Sequence, residues 1–219
     1  MGTNFYARII PTKKRRKEIC SLINTSENFD KIKSEVTKTY GSVFYNYETS
    51  TMDGGEIHLG KRSVGWKFLW NPNWYKIRQG HSEKINLEDG HSKYEWVEDG
   101  YKVAKFYDLN KKSIKKFIDR KDIEIYDEYG EKQDKDEFFK MALEWVTWKD
   151  ADGNEQEAWD SDSYSNWELK ENPNVNRNFL YGKGTEYTKF LEDEGFKLSE
   201  TKHDFYSDGL RFATSTEYS

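Results

Sequence analysis

The sequence predicts an α+β fold, in which a mixed or antiparallel sheet with hairpins is packed by several helices around an aromatic-rich core. Segments with the period-2 pattern of strands are intermixed along the chain with segments of helical period. The dipeptide Asp208-Gly209, between two short aromatic runs, is typical of a hairpin turn. Aromatic residues make up 16% of the 219 residues. They bury enough area to compensate for a hydrophobic content of only 35%.

The length fits a single α+β domain spanning residues 1–219. Within it we expect a two-helix insertion at residues 11–41 and an acidic, irregular segment at residues 149–174. The single cysteine excludes an internal disulfide. No apolar run approaches the length of a membrane span, so we expect an intracellular protein without membrane contact.

The first part of the chain predicts one strand followed by two helices. Residues 4–10 form the strand, and Pro11 opens a basic run, Lys13–Lys17, at the start of the first helix. The second helix begins at Ser26 and ends at Gly41. The basic run has two interpretations, a contact with phosphates or the solvated face of a helix.

The central stretch, residues 54–70, predicts a hairpin. Ile57 and Leu59 alternate with polar residues as in a half-buried strand. The glycine-flanked segment Gly60–Gly65 is then expected to be a connecting loop, after which Trp66–Trp70 resumes an extended run. One face of that run should meet an apolar helix stripe formed by Phe138, Met141, Ala142 and Trp145.

The remaining patterns predict alternating short elements. The expected helices are residues 111–120, capped by Asn110, a helix capped by Asp134, and residues 185–198, stopped or bent at Gly195. The expected strands are residues 101–106, residues 123–126 and the two arms of a hairpin at Asp208-Gly209. Asn71-Pro72-Asn73 is interpreted as a turn, followed by a polar span that contains His81 and His91.

The predicted Gly60–Gly65 loop combines hydrogen-bond donors with flexible backbone, which suits a phosphate or a carboxylate. His58 would act there as a proton donor or metal ligand, unless it is simply a structural strand residue. The predicted anion or ligand site consists of His58, Lys61, Arg62, Ser63 and Trp66.

Three other motifs are incomplete. Gly55–Lys61 matches the start of a nucleotide-binding loop, but Arg62 stands where Ser or Thr must follow. Asp150–Asn154 resembles the start of a calcium loop, but Glu155 and Ser161 replace the required Gly and Glu, so an Asp-Gly turn is favoured. The four histidines have no metal-ligand spacing. We therefore predict no metal site and no cofactor.

The charge is divided unequally along the chain. Residues 1–120 carry 23 basic and 15 acidic side chains, a net charge of +8, whereas residues 121–219 carry 12 and 25, a net charge of −13. Residues 121–171 alone hold 17 acidic and 6 basic side chains. Three roles are open for these residues: they mimic a nucleic acid, they form an ordinary solvated surface, or they pack against the basic half of the chain. The predicted partner-binding residues are Asp150, Asp152, Trp159, Asp160, Asp162 and Trp167.

Five blocks of the sequence are distinctive when taken together. They are the start Met1–Tyr6, the central His58–Trp66, the segment Ile125–Gly130, the stretch Gly209–Ala213 and the terminal Tyr218-Ser219. In their residues and their order, these blocks resemble a family of bacteriophage-encoded proteins. Many members carry a Cys-x-x-Cys before the central block, where this chain has its two-helix segment instead, so no metal role is carried over. The resemblance implies a phage origin and a setting in the host cytoplasm, and it implies no activity.

These observations lead to two hypotheses of function. In the first, the protein is a phage accessory protein that binds, and inhibits or redirects, a host or anti-phage defence protein. Its acidic, tryptophan-bearing surface would act as a nucleic-acid mimic or simply as a docking face. In the second, the protein binds a small anionic ligand or nucleotide, or is an enzyme, at Gly60–Gly65. Direct binding of nucleic acid through the basic helices is the less favoured alternative.

Overall fold

The computed structural model describes residues 2–40, 44–46, 51–53, 55–87, 91–181 and 184–214. The helices are α1 Lys13–Thr25, α2 Phe29–Tyr40, α3 Lys111–Ile118, α4 Lys135–Glu144, α5 Ser161–Glu171, α6 Arg177–Leu180 and α7 Glu186–Asp193. The strands are β1 Gly2–Ile9, β2 Phe44–Asn46, β3 Thr51–Asp53, β4 Gly55–Ser63, β5 Leu69–Trp70, β6 Trp74–Asn86, β7 Ser92–Lys105, β8 Ile123–Asp127, β9 Lys132–Gln133, β10 Thr147–Lys149, β11 Glu155–Glu157, β12 Asp204–Ser207 and β13 Leu210–Ala213. The predicted helix end at Gly41 and the terminal Tyr218-Ser219 lie outside the described residues.

A seven-stranded mixed sheet has the strand order β12-β13-β5-β4-β1-β8-β9. β1 lies near its middle and pairs antiparallel with both β4 and β8. β13 pairs in parallel with β5, which joins the C-terminal hairpin to the centre of the chain. Helices and strands follow one another in mixed order, and the predicted α+β fold is confirmed.

One face of this sheet, called here the inner face, carries the aromatic core. Its buried side chains include Phe5, Ala7, Ile57, Leu59, Phe68 and Trp70. Residues of α3, α4 and α7 belong to the same buried cluster. The ring of Phe138 on α4 lies 5.1 Å from that of Phe5 and 6.0 Å from that of Trp70. The predicted aromatic core is therefore built from rings that interlock between the sheet and α4.

Helices α3 and α4 begin directly after their predicted capping residues. Asn110 accepts a hydrogen bond from the backbone N–H of Ser113, and Asp134 accepts from the N–H groups of Asp136 and Glu137. Both caps satisfy backbone donors that the first turn leaves unpaired. The predicted starts of α3 and α4 are confirmed.

Both predicted N-terminal helices are present, with the side chain of Thr12 capping α1. The second helix begins at Phe29 and not at the predicted Ser26, which is the C-cap of α1. Most of the basic run is exposed. Arg15 instead turns inward between the helices, where its guanidinium lies 2.6 Å from Glu35. The run is thus largely a solvated helix face, with one member tying α1 to α2.

The predicted loop at Gly60–Gly65 is wrong, because β4 continues through Ser63. β1 pairs with this part of β4 from Gly2 opposite Ser63 to Phe5 opposite Gly60. The chain reverses only at Val64-Gly65. The backbone donors of the segment are therefore used mainly in sheet pairing, and they do not form a cradle for an anion.

Gly60 marks a close approach between neighbouring strands. A Cβ atom at this position would lie 2.4 Å from the carbonyl oxygen of Leu69 and 2.7 Å from the ring of Phe68. The register of β1 against β4 also shifts next to this point, between Phe5 and Tyr6. Glycine is required here because β5 packs too closely for any side chain.

The predicted aromatic face of residues 66–70 is only partly correct. Phe68 and Trp70 do meet α4, with the Phe68 ring 5.9 Å from that of Phe138. Trp66 instead forms an isolated bridge with Trp159 and packs among the aromatic side chains near α5. The chain has not yet entered β5 at Trp66, so strict alternation does not extend back to it.

Two regions contain strands or helices that the sequence did not predict, namely the polar span after Asn73 and the segment 149–174, which was predicted to be irregular. Residues 74–105 contain the long β6–β7 hairpin, whose outer part is exposed on both faces. Residues 149–174 contain α5 and, at their start, the β10–β11 hairpin. Neither region has the apolar periodicity from which such elements are inferred, because much of each faces solvent.

Candidate functional site

The structure separates the five residues of the predicted ligand site. Lys61 lies opposite Asn4 and His58 lies opposite Tyr6, so these four share the face of the sheet away from the core. Arg62 points to the other face, where its guanidinium stacks 3.6 Å from the ring centre of Trp145. Trp66 lies near α5, and the carbonyl of Ser63 accepts from the indole of Trp145 at 3.3 Å. His58 and Lys61 thus remain together, without Arg62 and Trp66.

The face away from the core, called here the outer face, is organised in rows across β4, β1 and β8. The row at Arg8 contains Glu56, Arg8 and Glu124, directly opposite one another. Arg8 pairs with Glu56 at 2.5 Å and its guanidinium lies 4.0 Å from the ring centre of Tyr126. Tyr126 in turn donates to Glu124 at 2.7 Å. The polar groups of this row satisfy one another.

The row at Asn4 is not satisfied in the same way. It contains Lys61, Asn4 and, from the turn after β8, Glu128. The Asn4 amide nitrogen donates to Glu128 at 2.8 Å, but Asn4 Oδ1 is buried without a partner among the described residues. The Lys61 ammonium also makes no hydrogen bond or ion pair within the described ranges. Hydrogen-bonding capacity is therefore unused at this end of the outer face.

His58 lies next to this row, with its ring 5.1 Å from that of Tyr6. Burial lowers its pKa below the usual histidine value, and the nearby charge of Lys61 acts in the same direction. A hydrogen bond with the Gly60 backbone and the charge of Glu128 oppose the shift. The ring nitrogen Nε2 is buried without a partner among the described residues. The hydrogen-bonding capacity of Nε2 is therefore unused.

A second candidate site surrounds the turn between β4 and β5. Here an aromatic cluster joins the turn to the β10–β11 hairpin and α5. Its backbone is fixed by hydrogen bonds from Trp159 N to Gly65 O at 2.7 Å and from Lys67 N to Trp159 O at 2.8 Å. We call this region the tryptophan surface, and it consists of Val64, Val146, Trp148, Trp159, Tyr164 and Trp167.

The rings of the tryptophan surface contact one another, yet part of it remains open to solvent. Trp167 stacks on Trp159 with centroids 5.6 Å apart and planes at 20°. Tyr164 lies 5.5 Å from Trp159, and Trp148 lies 6.3 Å from it. Trp167 is nevertheless 43% exposed, and Val64 is 67% exposed. A rigid apolar patch of this kind on a charged protein is typical of a binding surface.

Asp160, one of the predicted partner-binding residues, is engaged within the molecule. It caps α5 by accepting from Ser163 N at 2.9 Å, and it accepts from Lys67 at 3.0 Å and from the Tyr206 hydroxyl at 2.9 Å. Burial alone would raise the pKa of Asp160. Hydrogen bonds from the backbone and hydroxyl of Ser163, from the Lys67 ammonium and from the Tyr206 hydroxyl together hold this pKa well below the usual range of a carboxyl group. Asp160 is a structural anion that anchors α5.

Two of the other three predicted aspartates also have internal partners. Asp150 accepts from the N–H groups of Asp152 and Asn154 and closes the turn of the β10–β11 hairpin. Asp162 accepts from the N–H groups of Glu200 and Thr201, both at 3.3 Å. The side chain of Asp152 is exposed. The acidic stretch is therefore partly internal, and its role in partner binding stays a prediction.

Sequence reasoning missed a buried ion pair behind the tryptophan surface. Arg211 and Asp204 pair with 6% and 1% of their side chains exposed. Arg211 also donates to Ser161 Oγ and to the Lys67 carbonyl, both at 3.1 Å. Both residues lie on the predicted C-terminal hairpin, but their burial depends on the packing of that hairpin against α5, which no local pattern predicts.

Asn4 and Glu128 were also missed as site residues, although a signal existed. Three of the blocks quoted for the phage resemblance, Met1–Tyr6, His58–Trp66 and Ile125–Gly130, fall largely on β1, β4 and β8. These strands are neighbours in the sheet. Pairing thus brings polar residues of all three blocks onto one face.

Neither a metal site nor a similar protein indicates what the two candidate sites do. Among the described residues, no group of three or more His, Cys, Asp or Glu side chains is placed to hold a metal ion. Over the described ranges, no helix combines the length and apolar character that a membrane span requires. No family model, no curated protein and no solved structure matches this chain.

Proposed function

We propose that the protein acts by binding, without turnover, to a host or anti-phage defence protein that it inhibits or redirects. The observation that carries this proposal is the tryptophan surface, in which exposed Trp167 is held by stacking on Trp159. A pre-positioned tryptophan loses little conformational entropy on binding, and tryptophan is enriched among residues that dominate interface energies.

The charge around this surface supports a basic partner. Asp152, Glu155, Glu157 and Glu171 are exposed on the β10–β11 hairpin and α5. A basic protein groove, including one that normally binds nucleic acid, is complementary to such a surface. The setting that we propose, the host cytoplasm, and the phage origin follow from the resemblance described above. The alternative of a ligand bound in a Gly60–Gly65 loop is weakened, because that segment is mostly strand.

The test is affinity purification from cells that express the protein, with two matched tryptophan variants. Trp167→Ala removes the proposed anchor, whereas Trp96→Ala removes a tryptophan that is 59% exposed on the β6–β7 hairpin, outside the surface. We expect the wild type and Trp96→Ala to retain a stoichiometric basic protein. Trp167→Ala should weaken its binding by about tenfold or more, which corresponds to a hot-spot loss of about 1.4 kcal/mol or greater.

Salt dependence provides the second measurement. Because the screening length is about 8 Å at physiological ionic strength, affinity for a basic partner should fall as salt is raised. Capture that survives Trp167→Ala unchanged, or that does not depend on salt, would contradict the proposal. So would the absence of any stoichiometric protein.

A further inference from the structure

The Asn4 end of the outer face has the polar groups of a ligand site, and these lie apart from the tryptophan surface. Asn4 is a buried polar side chain, 9% exposed, and its Oδ1 has no partner among the described residues. His58 Nε2, also buried and without a partner there, belongs to a residue on the same face. Buried polar atoms are normally hydrogen-bonded, so two orphans on one face indicate a missing partner.

The two orphan atoms are both able to accept hydrogen bonds. Asn4 Oδ1 is an acceptor, and its orientation is fixed because the amide nitrogen donates to Glu128. His58 Nε2 is an acceptor in the tautomer that carries its proton on Nδ1. A partner that supplies hydrogen-bond donors therefore satisfies both atoms.

The charges beside these acceptors differ on the two sides. The Glu128 carboxylate is bound to Asn4, and it favours a positive group near the acceptors. Lys61 lies directly opposite Asn4 on the other side, with its ammonium unpaired among the described residues. The side chain of Lys61 extends over β1, since its Cε would be 2.7 Å from a Cβ placed on Gly2. A complementary ligand is thus positive at the acceptors and negative at Lys61.

We propose that this end of the outer face binds a small zwitterion of the α-amino acid class, with its ammonium group on Asn4 Oδ1 and His58 Nε2 and its carboxylate beside Lys61. Tyr6, whose ring contacts that of His58, and Lys61, which lies opposite Asn4, are both half-buried on this face. Entry requires these side chains to move, and the long chain of Lys61 is suited to this. The proposal does not depend on the proposed partner-binding function.

The test is calorimetric titration of the intact protein with the standard amino acids. We expect at least one to bind with a dissociation constant of about 1 mM or tighter. Its N-acetyl derivative, which lacks the ammonium charge, and its methyl ester, which lacks the carboxylate, should each bind about tenfold or more weakly, the expected loss of a charge-assisted hydrogen bond.

Two variants and one control connect binding to the named residues. Lys61→Met keeps the length of the side chain without its charge, and His58→Phe keeps a ring against Tyr6 without the Nε2 acceptor. Both should weaken binding by about tenfold or more. Lys14→Met, at an exposed lysine of α1, should bind as the wild type does.

The ligand derivatives keep the test decisive even if His58→Phe is unstable. Three results would overturn the proposal: no amino acid binds, a derivative binds as well as its parent, or Lys61→Met binds with unchanged affinity. In the first case the two acceptors serve only an internal water.

Discussion

The two faces of the sheet around β1 are held by different interactions. On the inner face, Phe5 and Ala7 are buried against the aromatic core, which includes Phe138 of α4. On the outer face, Arg8 is half-exposed and pairs with Glu56. Burial of apolar area stabilises the inner face, whereas exposed ion pairs typically contribute about 0–1 kcal/mol each. Stability is therefore concentrated on one face, and the other is free to carry polar groups for binding.

The outer face itself contains a further contrast. The row at Arg8 satisfies its own charges, while the row at Asn4 leaves acceptors and a cation unused. The backbone differs between the rows, because the register of β1 against β4 shifts between them and Glu128 comes from the turn after β8 and not from the strand. The side chains close one row and leave polar atoms of the other without partners among the described residues.

The largest effect is expected on the inner face. Trp70 is 1% exposed and packs against Phe68 and α4. Trp70→Ala should lower the free energy of unfolding by about 3–5 kcal/mol, because it leaves a large cavity. Urea denaturation measures this change. Trp96→Ala, at a tryptophan 59% exposed on the β6–β7 hairpin, is the control and should change stability by about 0.5 kcal/mol or less. Similar losses for the two variants would break the comparison between buried and exposed aromatic residues.

A smaller effect is expected where β4 approaches β5. Gly60→Ala places a methyl group 2.4 Å from the Leu69 carbonyl oxygen, which forces the strands apart. We expect a loss of about 1–3 kcal/mol in the free energy of unfolding, the range for overpacking. The control is Gly130→Ala, where no atom lies within 4 Å but φ is +83°. It should cost only the backbone strain, about 1–2 kcal/mol. If Gly60→Ala is fully tolerated, the close approach is not a constraint on the sheet.

The smallest effect concerns the row at Arg8 and its dependence on pH. The ammonium of Lys132, and then the hydroxyl of Tyr126, lower the pKa of Glu124 below its ordinary value of 4.5. A carboxyl whose pKa is depressed by folding contributes stability above its unfolded pKa, and this is lost as pH falls through the folded pKa. When the pH is lowered from about 6 to about 3, the free energy of unfolding should therefore fall less for Glu124→Gln than for the wild type.

Urea midpoints at the two pH values measure this slope for the wild type and the variant. Glu144→Gln, at an exposed carboxyl on α4, serves as the control and should keep the wild-type slope. An unchanged slope for Glu124→Gln would mean that the outer-face row adds no pH-dependent stability.

Much of the local structure could be predicted from the sequence, and the exceptions share a cause. The β6–β7 hairpin was missed although Asp89-Gly90, a typical hairpin turn signal, stands between its strands. Its outer part is exposed on both faces, so its strands lack the alternation of apolar and polar residues that burial of one face imposes. α5 was missed for a related reason, since only Ser161 and Ser165 among its residues are fully buried.

The candidate sites were predicted only in part. His58 and Lys61 share a face because they belong to the same strand on either side of a register shift. Arg62 was grouped with them because the segment was interpreted as a loop, in which neighbouring side chains are able to converge. In a strand they alternate, and Arg62 therefore points to the opposite face.

The sequence by itself determined the caps at Asn110 and Asp134 and the tight turn at Asp208-Gly209. Each depends on atoms only a few residues apart, and both turn residues adopt the positive φ that such a turn requires. Only the tertiary structure decided the parallel pairing of β13 with β5, the position of Trp66 beside Trp159, and the contact of Arg211 with Ser161. These contacts join distant parts of the chain, so their formation depends on how the whole sheet is ordered, which no short stretch of residues encodes.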